Sequence, residues 1–207
     1  GVSDGTDSLL KRCGEIVSTR NINKPVLRLI HHFACSGGTL IAKCLSALPN
    51  VHLISEVHPN IKYHYQNKDI EYRPTDIAYL ACHANIPMLD QFTEDILVSN
   101  ILNLSKHLRK YGGDLVLRDH THMDYCTGVE VSNPTLIRLL EPHFELVSLI
   151  TVRNPIDSFL SLSRNNWVGF KPANFEEYCS RYIRFITDYA NTEFIRYEDF
   201  VAAPESQ

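Results

Sequence analysis

A three-layer α/β fold, with a parallel central sheet of about five strands flanked by helices, is predicted by two features of the sequence. Short apolar runs of strand length alternate with longer segments of helical period from residue 26 onward. The runs are continuous enough to be buried strands, and strand–helix alternation of buried strands makes a parallel sheet with helices on both faces. The chain has 207 residues, 44% of them hydrophobic, with no repeat and no low-complexity linker, so residues 1–207 are expected to form a single domain.

Taken in order, Leu9, Leu10, Cys13, Ile16 and Val17 recur at helical spacing and predict a leading amphipathic helix over 7–18. A first strand over 26–32 follows Pro25. The chain then breaks at Ala34-Cys35-Ser36-Gly37-Gly38-Thr39, and a helix is predicted over 40–48, ending before Pro49. A second strand covers 51–55. Residues 57–74 are polar and aromatic without period and predict a long functional loop. Helices are predicted over 75–84 and 93–110, the latter closed by Gly112-Gly113. A third strand covers 114–118 and a fourth 145–152. Helices over 155–164 and 174–189 and a short strand over 193–196 complete the series. Ligands of such sheets sit beyond the carboxyl ends of strands, which directs attention to Ser36–Thr39, Glu56, His120 and Arg153.

Composition excludes several function classes. Twenty basic against 24 acidic residues give a formal charge of −4, and bulk binding to nucleic acid or anionic membrane would need a basic field. No stretch approaches the ~20 consecutive apolar residues of a membrane span. No secretory signal pattern opens the chain, so a cytoplasmic location is expected. Disordered and collagen-like classes do not fit the composition. Six scattered cysteines, at positions 13, 35, 44, 82, 126 and 179, contain no CxxC pair and are expected to be reduced, mostly buried thiols. His120 and His122, two apart on a strand, would face one way and could hold a metal. No CxxC or HExxH partner accompanies them, and no metal is expected.

Four of the nine glycines lie in two adjacent pairs. Gly37-Gly38 joins the first strand to a helix that Thr39 could cap, and consecutive amides aimed at a helix N-terminus form an anion site without a lysine. A nucleotide triphosphatase would need GxxxxGK[ST]; this loop lacks both the first glycine and the lysine, and Lys43 lies a full turn down the helix. A second candidate anchor is Arg153-Asn154-Pro155-Ile156-Asp157-Ser158-Phe159-Leu160-Ser161 at the end of the fourth strand. Pro155 suits a first helical turn, and Arg153 with Ser161 could hold a second phosphate by a fork and a hydroxyl.

At these residues the chain resembles the sulfotransferases that use 3′-phosphoadenosine 5′-phosphosulfate (PAPS), of a bacterial or tyrosylprotein-sulfotransferase-like kind. Ser36-Gly37-Gly38-Thr39 resembles the 5′-phosphosulfate loop. Arg153 and Ser161, eight apart, resemble the 3′-phosphate motif, and Tyr197-Glu198-Asp199 resembles the segment after the last strand. The likeness spans roughly residues 26–200. It implies a P-loop-like sheet, PAPS as co-substrate and sulfuryl transfer without a metal. It also implies that Cys35, Ser36, Gly37, Gly38, Thr39 and Leu40 form the 5′-phosphosulfate cradle, that Arg153 and Ser161 bind the 3′-phosphate, and that Tyr197 lies beside the adenosine. Two positions depart from the pattern. Cys35 stands where the family usually has Lys or Arg, and Leu40 where many members stack adenine on Trp. Arg118, at the end of the third strand, is the candidate for the missing cation. The chain stops soon after Tyr-Glu-Asp, where many relatives continue into a glycine-rich segment over the nucleotide; either this group lacks it or the sequence is truncated.

Transfer to a hydroxyl or amine needs a base as the acceptor attacks, and two candidates exist. His120 follows the third strand, similar to the strand-ending histidine of cytosolic sulfotransferases. Glu56, 21 residues after Cys35, is similar to the catalytic glutamate of tyrosylprotein sulfotransferases. The acceptor is expected over 57–74 and 120–133, with Trp167 and Phe170 as a wall, and a sugar, phenol, lipid or peptide hydroxyl fits equally well. Two alternatives remain open at the level of sequence: a degenerate relative that binds the nucleotide without turnover, and a P-loop small-molecule kinase.

Overall fold

The computed structural model describes residues 24–60, 76–84, 86–128 and 132–204. The helix read over 7–18 and most of the 57–74 loop lie outside the described residues. Five strands, β1 (Val26–His32), β2 (Val51–Val57), β3 (Asp114–Asp119), β4 (Glu145–Val152) and β5 (Glu193–Arg196), form one sheet in the order β2-β3-β1-β4-β5. Every neighbouring pair is parallel, so the expected α/β sheet is present. Its helices are α1 (Gly38–Ser46), α2 (Ile77–His83), α3 (Leu89–Arg109), α4 (His122–Tyr125), α5 (Thr135–Leu140), α6 (Pro155–Arg164), α7 (Phe175–Asp188) and α8 (Tyr197–Ala202).

The central strands are apolar because both faces are covered. Leu27 and Leu29 of β1 and Leu115 and Leu117 of β3 point to the same face, where they pack with Ile101 of α3 and with Leu136 and Leu140 of α5. His31 continues that face and packs against Tyr189, just past α7, at 4.5 Å between ring centroids with the rings tilted by 36°. A second apolar cluster, built on Phe33, Tyr125, Leu162, Tyr178 and Phe185, anchors α6 and α7 to the end of β1 and to β4. His32 points to the opposite face and packs against Gly38, which sets α1 on that side as the return from β1 to β2. Successive residues of one strand therefore serve different ends: His31 enters a buried network, and His32 the site described below.

Several boundaries differ from the sequence expectation. α1 begins at Gly38, not at residue 40, because Gly37 at φ +87° is its N-cap; Thr39 lies inside the helix and caps nothing. β2 runs on to Val57, with a break of register against β3 between Ile54 and Val57. Glu56 thus sits inside the strand, in the left-handed region at φ +59°, rather than at its end. α3 starts one turn earlier than residue 93. The 120–133 segment contains α4, too short for its period to register in the sequence. No helix among the described residues is long and apolar enough to cross a membrane.

Candidate active site

The turn after β1 is shaped by backbone conformations that few residues adopt. Cys35 is at φ +62° and Gly37 at φ +87°, and Ser36 N–H donates to the Phe33 carbonyl at 3.1 Å. A Cβ on Gly37 would lie 2.0 Å from Cδ2 of Tyr197, and one on Gly38 would lie 2.5 Å from Cγ of His32. The glycine pair is required on both counts: the loop is pressed between the Tyr197 and His32 rings. The Ser36 hydroxyl is buried and hydrogen-bonded to the Thr151 hydroxyl of β4 at 3.1 Å. Leu40 N–H donates to the Gly37 carbonyl at 3.0 Å, so this amide is committed inside the helix and Leu40 drops out of the expected cradle. Gly37, Gly38 and Thr39 are left to present their amides at a helix N-terminus, whose first N–H groups have no intrahelical acceptor.

Arg153 leaves β4 beside this loop. Its backbone is gripped by the Tyr182 hydroxyl, which donates to the Arg153 carbonyl at 2.8 Å and accepts from its N–H at 3.1 Å. The Asn154 side chain caps α6 by accepting from Ile156 N–H at 3.0 Å, and the Glu198 carboxylate accepts from Asn154 N–H at 2.8 Å. Thus the Tyr-Glu-Asp segment buttresses the start of α6. The Arg153 guanidinium donates to the Cys35 carbonyl at 3.3 Å and lies over the Tyr197 ring, 4.8 Å from its centroid. Ser161, two turns into α6, lines the cavity together with Cys35. Burial raises the Cys35 thiol above its ordinary value, while Ser161 and Arg153 pull the other way.

A cavity of about 300 Å³ joins these residues to the ends of β2 and β3. Its lining includes Cys35 to Thr39, Arg153 and Ser161 on one side and Glu56, Arg118, His120 and His122 on the other. The two candidate bases are bonded to each other: Glu56 Oε2 pairs with His120 Nδ1, and Glu56 Oε1 pairs with the Arg118 guanidinium. Arg118 also donates to the Ser55 hydroxyl at 2.7 Å and to His32 Nε2 at 3.2 Å. Because a guanidinium only donates, His32 Nε2 accepts, and its ring proton is on Nδ1. Tyr197 borders the site through Gly37 and Arg153. Phe170, expected as an acceptor wall, is instead buried in the core beside Tyr178. Trp167 does stand at the rim, 57% exposed. His120 and His122 do not share a strand face, since β3 ends at Asp119 and His122 opens α4; their ring centroids are 5.9 Å apart.

Sequence reasoning did not single out His32 or Asn165, both of which line the cavity. The strand-end rule would have found His32, the last residue of β1. Asn165 follows α6 with no chemical signature of its own.

The charge states around the cavity follow from burial and pairing. Burial, helped by Arg118, lowers His32 from 6.5 to about 3, and burial lowers His122 to about 4. Burial alone would raise Glu56, but its hydrogen bond with His120 and the Arg118 charge outweigh it and hold the carboxyl at about 2. A stability prediction follows. Unfolded, the two histidines take up protons near 6.5; folded, they do so only near 3 and 4. The unfolded state therefore binds more protons in this window, and stability falls as pH drops below 6.5, by up to ~1.4 kcal/mol per pH unit per histidine. The Glu56 contribution, present above 4.5, is lost as pH falls toward 2. Denaturant midpoints should decline steadily below pH 6.5, and less steeply in His32→Gln; constant midpoints between pH 6.5 and 4 would contradict this assignment.

No protein-family model matches the sequence, and no curated protein matches it. Among solved structures, the sulfotransferase domain of the Synechococcus PCC 7002 olefin synthase is similar, with TM-score 0.53 and 16% identity over 90% of this chain and 71% of that one. Weaker similarity links the chain to a sulfotransferase from Alicyclobacillus acidocaldarius, at TM-score 0.38, 15% identity and coverage of 88% of this chain and 77% of that one. Thymidylate kinase from Candida albicans gives TM-score 0.42, 16% identity and 84% coverage of each chain. The fold is accordingly a three-layer α/β arrangement similar to that of a solved sulfotransferase domain.

Proposed function

We propose that this protein is a PAPS-dependent sulfotransferase that moves a sulfuryl group to a hydroxyl or amine acceptor by in-line displacement, without a metal. The observation that carries the reading is a single cavity lined by the Gly37–Thr39 helix start, by Arg153 with Ser161, and by the Glu56–His120 pair. A doubly phosphorylated nucleotide would have its 5′-phosphosulfate on the loop amides of Gly37, Gly38 and Thr39. Its 3′-phosphate would be held by the fork of Arg153 and the Ser161 hydroxyl, with the adenosine against Tyr197.

His120 is the base in this reading. Glu56 is ionised far below neutrality and shared with Arg118, so it is a weak proton acceptor. Bonded to His120 Nδ1, it orients the ring with Nε2 toward the acceptor and stabilises the imidazolium, as the third member of a triad does. The acceptor oxygen attacks sulfur while its proton passes to His120 Nε2. The bond between sulfur and the bridging phosphate oxygen breaks, and its electron pair leaves with the 5′-phosphate. Arg118, which lines the same cavity from the end of β3, is the cation that stands in here for the Lys or Arg absent at position 35.

The test is transfer of labelled sulfuryl from PAPS to a panel of sugar, phenol, lipid and peptide acceptors in the presence of chelator. Labelled product from at least one acceptor is expected. Transfer that requires magnesium and a nucleoside triphosphate would indicate kinase chemistry. Cys35 favours a second reading, a nucleotide-binding relative without turnover, because its thiol stays neutral and offers no charge to the bridging oxygen. Cys35→Lys is expected to raise turnover several-fold; a fall would show that Ser161 and Arg153 already commit this position to the thiol.

A further inference from the structure

We propose that His58 and Asp124, neither of which lines the cavity, form a clamp that positions the Glu56–His120 pair, an inference that rests on the sulfuryl-transfer reading of that pair. Glu56 occupies the left-handed region where the β2–β3 register breaks, and a residue so strained persists only when its surroundings over-determine it. Beyond the Glu56 and Arg118 pairings, two more ties join the ends of these strands. One is main-chain: His120 N–H donates to the Val57 carbonyl at 3.1 Å. The other is the buried pair of His58 Nε2 and Asp124 Oδ1 at 3.1 Å.

The direction of that second bond is determined. Asn60 N–H donates to His58 Nδ1 at 3.0 Å, so Nδ1 carries no proton and Nε2 is the donor to the carboxylate. Asp124 is itself fixed. Its carboxylate accepts from Thr135 N–H at 2.8 Å and from the Thr135 hydroxyl at 2.7 Å, at the start of α5. Asp124 belongs to α4, which opens two residues after His120; His58 lies two residues after Glu56. The clamp therefore closes the same two segments that the Glu56–His120 bond closes, one layer deeper. Burial would raise the Asp124 carboxyl, but His58 and Thr135 outweigh it and keep it ionised, so the clamp is charge-assisted.

Two substitutions at His58 separate positioning from simple structure. In His58→Asn the side-chain oxygen still accepts from Asn60 N–H, as an Asx turn does, but the donor to Asp124 is lost. In His58→Gln the amide keeps a donor at the reach of Nε2. On an unactivated alcohol or phenol, His58→Asn should lower kcat about tenfold with KM for PAPS unchanged, and His58→Gln should restore most of it. On a nitrophenol already ionised at the assay pH, His58→Asn should cost little, because that acceptor needs no base. Equal losses on both acceptors would overturn the clamp. A readout free of activity is the His120 Nδ1 proton by NMR: it should broaden or exchange rapidly in His58→Asn and persist in His58→Gln. A wild-type chain that transfers nothing would defeat the sulfotransferase reading, whereas a His120 signal unchanged in His58→Asn would defeat the clamp alone.

Discussion

Replacing His120 with alanine should lower turnover about 100-fold while leaving the affinity for 3′-phosphoadenosine 5′-phosphate unchanged. The size follows from what a positioned base contributes, and the selectivity from where His120 stands. It enters the cavity from the end of β3, whereas Arg153 and Ser161 enter from the end of β4 and from α6, and it is bonded to Glu56. Glu56→Gln should fall less, since an amide oxygen can still accept from Nδ1 and orient the ring while losing the charge that stabilises the imidazolium. If Glu56 were the base, the order would reverse. The neighbouring histidines do not replace His120. His32 is buried with Nε2 occupied by Arg118, and His122 lies on α4 at the adjoining wall. Steady-state kinetics with a calorimetric binding check on each variant measures both quantities; equal turnover in His120→Ala and wild type would remove His120 from the mechanism.

Arg153→Ala should weaken binding of the same nucleotide by ~2 kcal/mol or more, about 30-fold, as loss of a charge-assisted fork does. The guanidinium is positioned for this role by its surroundings. It is carried at the end of β4, its backbone is fixed by Tyr182, its central carbon lies over the Tyr197 ring, and it reaches the Cys35 carbonyl at the loop. Arg153→Lys should recover only part of the loss, because an ammonium cannot make the paired contact or lie flat on the ring. Ser161→Ala should cost less, since it removes one neutral hydroxyl. Unchanged affinity in Arg153→Ala would mean that the 3′-phosphate is held elsewhere.

The central strands β1 and β3 were legible because a parallel strand covered on both faces is apolar along most of its length. Glu56 was legible as a candidate and not as a neighbour of His120. Ser55 and Glu56 interrupt the apolar run of β2, and only pairing with β3 extends the strand through them. The two alternatives for the base lie 64 positions apart in sequence and meet only when β2 and β3 pair. The Gly37-Gly38 pair announced the turn, but the commitment of Leu40 N–H to the Gly37 carbonyl depends on where the helix starts, and a left-handed cap set that start two residues earlier than the apolar pattern indicated. His32 was hidden because His31 and His32 are the same residue type at the end of one strand. Their opposite directions, one to Asp119 at 2.7 Å and one to Arg118, come from the pleat and from what each face packs against. Phe170 misled for the reverse reason: an aromatic after α6 reads equally as wall or core, and packing against Tyr178 made it core.

A nucleotide clasped simultaneously by the helix start and by the β4 arginine should be recognised by both of its phosphates. Isothermal titration in chelator, comparing 3′-phosphoadenosine 5′-phosphate with adenosine 5′-phosphate, reads this directly. The bisphosphate should bind at least ~30-fold more tightly, the worth of one charge-assisted anchor, with no requirement for magnesium. Equal affinities for the two nucleotides, or binding of the bisphosphate only with magnesium present, would contradict the account.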